Sequence, residues 1–132
     1  MTESDVYLEI ADRALTAADA ALNGNVHEKA AFLVYHGFES AGGALCRHRS
    51  VPYPKGHRSK LNVFVAASRR ERFGLHAAQL AMELAALRNL VLYPQVLGNG
   101  TIRRPVDQIS PTAVERLKGR TSALVKSVRA GR

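Results

Sequence analysis

The sequence predicts an all-α fold, an up-and-down bundle of about five helices. Three observations predict it. The 132-residue chain is rich in alanine, has no tryptophan and is only 6% aromatic, which suits helices packed through small and aliphatic side chains. Apolar residues recur at three- and four-residue steps over long stretches. Short breaks of Gly, Asn and Pro separate those stretches.

Residues 5–22 read as an amphipathic helix. Val6, Ile10, Ala14, Ala17 and Ala21 form its stripe, widened by Leu8, Leu15 and Leu22. Ser4 is placed to cap it, and Asn23-Gly24-Asn25 stops it. Residues 26–49 read as a second, longer helix, apolar nearly all round between Ala30 and Leu45 and therefore central. Gly37, Gly42 and Gly43 on such a helix admit a close neighbour; the alternative is a break at Gly42-Gly43.

Pro52 and Pro54 make residues 50–56 a loop. A third helix spans 57–68, although Val63-Phe64-Val65 would also suit a strand. A fourth spans about 70–92, with Phe73, Ala77, Leu80, Ala81, Leu84, Leu87 and Val91 inward, and Pro94 ends it. Residues 95–110 carry turn signals, and Arg103-Arg104 reads equally well as a disordered hinge. Ser110-Pro111 is a cap followed by proline at the first helical position. The fifth helix runs from there to about 129, with Val114, Leu117, Leu124, Val125 and Val128 inward.

This length fits one domain over 1–132, with a core at about 5–94 and a basic C-terminal helix at about 110–130. The single cysteine, Cys46, excludes an internal disulfide. The acidic start does not resemble a signal peptide, and no apolar run reaches the ~18–20 residues of a membrane span. A cytoplasmic protein is expected, with no membrane partner.

The net charge is +8, unevenly spread. Residues 1–46 sum to −5 and the rest to +13. Such asymmetry points to a polyanion on one side and a basic partner, or a second copy, on the other. Arg47, Arg49, Lys55, Arg58 and Lys60 interleave with Tyr53 over 46–60, a pattern suited to single-stranded RNA through phosphate contacts and base stacking. Arg69 and Arg70 sit at a charged helix junction, with phosphate contact a second reading. The tail adds Arg103, Arg104, Arg116, Lys118, Arg120, Lys126, Arg129 and Arg132, which suit nucleic acid or the acidic first helix of a partner.

The stretch "LRNLVLYP", residues 87–94, sets Arg88 inside an apolar run. A guanidinium there must reach solvent, pair with a carboxylate such as Glu83 or Glu39, or face a cleft. Arg88 and Tyr93 lie five residues apart, about 140° around an ideal helix and ~7.5 Å along it. Pro94 biases Tyr93 out of helical geometry, so its side chain can swing round. His36 reads as a hydrogen-bonded core or interface residue. His57 reads as a flank to a helix start, and His48 as basic surface. No spacing among His27, His36, Cys46 and His48 matches a zinc ligand pair, and no glycine loop cradles phosphate, so neither metal nor cofactor is expected.

Over residues 5–94 the chain resembles a HEPN domain, a helical family of prokaryotic toxin–antitoxin, phage-defence and RNA-processing systems. The resemblance rests on the first helix and its "NGN" break, on "HEKAAFLVYHGFESAGGAL", on "HRSKL" at 57–61 and on "RNLVLYP". The last is similar to the family's arginine–polar–x–x–x–histidine motif. The resemblance implies that Arg88, Asn89 and Tyr93 form the site, at a homodimer cleft where active members cut RNA without metal. Tyr93 departs from the pattern. A free tyrosine is about 0.1% ionised at pH 7, so it is a poor base, although it can donate a proton or bind a phosphate. The resemblance implies that many members with tyrosine here bind rather than cut. RNA or a nucleotide is therefore the expected ligand, with a metal-independent endoribonuclease one outcome. The alternative is a non-catalytic module that assembles with a nucleotidyltransferase-like or other protein encoded nearby. A third reading is DNA binding through the C-terminal helix.

Overall fold

A computed structural model describes residues 1–131; Arg132, named above among the tail bases, lies outside the described residues. Five α-helices follow in order: α1 Glu3–Asn23, α2 His27–His48, α3 His57–Ser68, α4 Gly74–Leu92 and α5 Pro111–Ala130. The all-α expectation holds. Among the described residues the remaining elements are a 3-10 turn at Pro105–Asp107 and a small antiparallel pair, β1 Gln95–Val96 and β2 Ile102–Arg103, in register Gln95↔Arg103 and Val96↔Ile102. Arg103-Arg104 is thus no hinge: Arg103 lies in β2 and Arg104 pairs with Asp107 at 3.0 Å. No helix among the described residues is long and apolar enough to cross a membrane.

Helix α2 is the central rod and touches α1, α3, α4 and α5. It is unbroken through Gly42-Gly43 because neighbours press against both residues. A Cβ on Gly42 would lie 2.7 Å from the Phe64 ring, and one on Gly43 2.6 Å from the Tyr7 ring. The missing side chains are therefore what lets α1 and α3 approach α2. Phe64 is fully buried and packs on Phe38, with ring centroids 5.0 Å apart, so Val63-Phe64-Val65 is helix and not strand.

Helix α1 is turned relative to the expected stripe. Its buried residues are Ser4, Leu8, Ala11, Ala14, Leu15 and Ala18, while Val6 and Ala17 face outward. Ser4 does not cap the helix; its hydroxyl donates to the Ala44 carbonyl at 2.8 Å in the α1–α2 seam. Thr2 caps instead, in a capping box with Asp5. The cause is packing: a close seam selects small residues, whereas hydrophobicity alone selects Val6. Helix α4 starts at Gly74 rather than 70, because the chain turns tightly there; a Cβ on Gly74 would stand 2.5 Å from the Ser68 carbonyl oxygen.

Ser110 caps α5 as expected, accepting from the Ala113 amide at 3.1 Å. The basic face of α5 meets the chain's own acids. Lys118 pairs with Asp19, Arg129 with Asp12 at 2.6 Å, and Arg116 and Arg120 both with Glu83. The acidic first helix thus has its basic counterpart within the same chain, where a partner was expected.

Candidate functional site

The end of α4 that carries Arg88 lies beside the middle of α2 and the start of α3. Between them opens a cleft of about 440 Å³. Its polar wall is Tyr35 from α2, His57 and Arg58 from α3, and Arg88 and Asn89 from α4; Leu61, Ala85 and Ala86 are its apolar part. A second groove of about 510 Å³ between α3 and α4 shares Arg58, Leu61 and Ala85 with it and ends at Arg69.

Arg88 has neither expected carboxylate. Glu83 is taken by α5, and Glu39 by α3. Among the described residues no carboxylate pairs with Arg88. Its guanidinium lies 5.9 Å from the Tyr35 ring centroid, and Nη1 donates to Asn89 Oδ1 at 3.2 Å. Its Nε is buried without a hydrogen-bond partner. A buried, unsatisfied donor on a permanent cation costs the fold free energy. Each such group calls for an explanation, and a ligand that supplies the missing acceptor is one.

Glu39 is a buried acid, 5% exposed, on the same face as Tyr35 one turn earlier. His57 Nδ1 meets its Oε2 at 2.8 Å, and Lys60 Nζ donates to its Oε1 at 3.4 Å. A carboxylate only accepts, so Nδ1 carries the hydrogen and Nε2 is left for the cleft that His57 lines. The His57 ring stands edge-on to Tyr35, centroids 6.3 Å apart. Burial pushes the Tyr35 phenol well above its ordinary range; the Glu39 charge and hydrogen bond add to this, and Arg88 partly opposes it. Tyr35 is therefore a neutral wall at physiological pH.

Tyr93 is not in the cleft. It ends α4 in extended geometry, φ −130° and ψ 144°, and is 57% exposed. Pro94 frees it from the helix, and its side chain is largely exposed rather than part of the cleft wall. The basic set divides. Arg58 lines the cleft, Arg69 borders the second groove, and Lys55 and Arg70 are exposed. Arg47 pairs with Glu3 at 3.1 Å, Arg49 with Glu71 at 2.8 Å, and Lys60 with Glu39. Tyr53 is buried: its hydroxyl donates to the Glu39 carbonyl at 2.5 Å and its ring packs edge-on against Tyr7. It offers no face to a base, contrary to the stacking role expected of it.

His27 Nε2 contacts the Val106 carbonyl at 2.7 Å, and His36 borders a groove between α1 and α2. His57 does begin a helix, as expected, but it also meets Glu39, which sequence reasoning missed. The available signal was Glu39 itself: an acid on a helix apolar all round needs a partner.

The whole chain superposes on a crystal structure of an archaeal HEPN homologue with a TM-score of 0.73. The match covers 99% of this chain and 98% of that one, at 19% identity. The fold is HEPN-like. At this identity the likeness speaks for the HEPN-like architecture alone. No family model matches the sequence, and no curated protein does.

Proposed function

We propose that the cleft of this HEPN-like bundle binds RNA, or a nucleotide, through phosphate. The observation that carries the reading is Arg88: a cation on a mostly apolar helix with no carboxylate partner among the described residues, its Nε buried and unsatisfied beside an open cleft. A phosphate oxygen supplies both the charge and the acceptor that the protein withholds. Asn89 and Arg58 stand in the same wall and extend the contact. The setting is cytoplasmic, in a toxin–antitoxin, defence or RNA-processing system, as the family resemblance implies.

The binding form is a homodimer. Leu75, Ala78, Met82 and Ala85 follow one another at three- and four-residue steps along the outer side of α4, and this stripe carries no charge. Leu75 and Met82 are 73% and 77% exposed. Two such stripes meeting about a two-fold axis bury both and set the two clefts side by side. The same stripe supports the other reading, a module docked on a separate protein encoded nearby.

The test is binding of a labelled single-stranded RNA at several salt concentrations, with light scattering on the same samples. Arg88→Ala weakens binding at least tenfold, about 1.4 kcal/mol, while Met82→Glu converts dimer to monomer. Equal RNA affinity for wild type and Arg88→Ala removes the cleft from the account. A monomeric wild type that binds no RNA favours the docking module.

A further inference from the structure

We infer that His57, held by the Glu39 carboxylate, is the proton-transfer group of this cleft, and that the chain uses it to cut single-stranded RNA. The inference rests on the phosphate-binding reading and adds a residue outside the 88–93 segment. Sequence reasoning looked for a base at position 93, but Tyr93 is largely exposed and does not line the cleft. The structure brings an imidazole to Arg88 from another helix.

Four observations carry it. The carboxylate is buried while the imidazole is half exposed at the cleft wall, so the pair faces a ligand from the histidine side. Both Glu39 oxygens are engaged, Oε2 by His57 and Oε1 by Lys60, so the acid is fixed in place and its charge is balanced away from the cleft. The bond to Nδ1 selects the tautomer and leaves Nε2 as the acceptor. Arg58 and Arg88 flank the same space and match the charge that builds on a phosphorane. Tyr35, the remaining titratable group in the wall, keeps its proton and takes no part in the transfer.

In the step, His57 Nε2 accepts the proton of a ribose 2′-hydroxyl as that oxygen attacks the adjacent phosphorus. The P–O2′ bond forms and the P–O5′ bond breaks. The 5′-oxygen leaves with the bonding pair and takes a proton from water, and the resulting hydroxide recovers the proton from the imidazolium. The products are a 2′,3′-cyclic phosphate and a 5′-hydroxyl, with no other reactant consumed. His57 is the catalytic residue; Glu39 is a positioning residue.

The experiment uses the full chain with chelator present. It measures cutting of an end-labelled natural RNA and, separately, binding of the same sequence as 2′-O-methyl RNA, which lacks the nucleophile. The variants are His57→Asn, whose amide N–H keeps the bond to Glu39 but has no second nitrogen, and His57→Ala with and without added imidazole. The expected results are cyclic-phosphate ends from wild type, cutting by His57→Asn slowed about 100-fold or more with 2′-O-methyl binding within threefold, and partial recovery of His57→Ala by imidazole. A purely structural histidine predicts wild-type cutting by His57→Asn and no response to imidazole, and either result overturns the inference. Tight 2′-O-methyl binding by a wild type that cuts no RNA overturns it too, while leaving the phosphate-binding reading intact. A wild type that binds neither RNA removes that reading and this inference together.

Discussion

Arg88→Met separates a cation kept for a ligand from one kept for the fold. Methionine retains an unbranched stem against the apolar surroundings of α4 and has a helix propensity close to that of arginine. What it removes is a buried Nε without a partner. Such a group costs about 1–3 kcal/mol. Against this stand the contact with the Tyr35 ring, 5.9 Å away and so at the outer limit, worth about 0.5–1 kcal/mol, and the exposed bond to Asn89, worth a few tenths at most. The difference leaves Arg88→Met more stable than wild type by about 1 kcal/mol. For a domain of this size that is a rise of roughly 3–5 °C in Tm. The assay is urea and thermal unfolding followed by circular dichroism, with RNA affinity measured on the same preparations. The expected pattern is higher stability with weaker RNA binding, the exchange found at residues kept for function. A loss of about 2 kcal/mol or more would refute the reasoning, because breaking a buried ion pair has that sign and size.

Gly42→Ala brings a methyl within 2.9 Å of three carbons of the fully buried Phe64. Overpacking costs about 1–3 kcal/mol against at most ~1 gained in helix propensity, so the variant unfolds at lower urea. Gly119→Ala in α5 has open space, and its urea midpoint rises. The Tyr35 and Tyr53 phenols are both held above their ordinary range, chiefly by burial and then by the Glu39 charge. Their contribution to stability is whole below pH ~10, where the unfolded chain also keeps its phenols protonated, and is lost as pH rises beyond it. Ultraviolet titration should show two of the four tyrosines ionising only as the helical signal collapses. Burial pushes the Cys46 thiol up to about 11, with Arg47 opposing weakly, so a disulfide reagent at pH 8 labels it slowly in the native protein and rapidly in denaturant.

The legible features were those decided locally. Pro52 and Pro54 before α3, Ser110-Pro111 before α5 and Pro94 after α4 act through backbone geometry within a few residues, and those boundaries came out close to expectation. Gly42 and Gly43 were legible as a place of close approach, with a helix break as the alternative, and the Phe64 and Tyr7 rings decide for close approach. The phase of α1 was not legible, since it is decided by the surface of α2, where Ser4 and Ala11 fit better than Val6. In the site, Arg88 was visible as a charge in an apolar run. Its neighbours were not, because Tyr35, His57 and Arg88 meet only once three helices have been placed. The Glu39–His57 pair spans 18 residues and a loop. Tyr53 failed as a stacking residue for the same reason: its surroundings suggested a basic surface, and its partner is a carbonyl on α2.

The pairing of α5 with α1 and α4 determines how the molecule looks from a distance. Four basic residues of α5 cancel Asp12, Asp19 and Glu83 at close range. Lys55, Arg58, Arg69, Arg70, Arg72 and Arg88 form no ion pair among the described residues, and they lie along α3, its two flanking turns and α4. Unpaired positive charge is therefore densest along α3 and the adjoining part of α4, while Arg13, Lys29, Arg103 and Lys126 stand singly elsewhere. For the proposed RNA ligand, such a concentration of charge favours arrival at the α3–α4 side. This steering raises the encounter rate more than the final affinity, and it fades once added salt shortens the Debye length below the width of the protein.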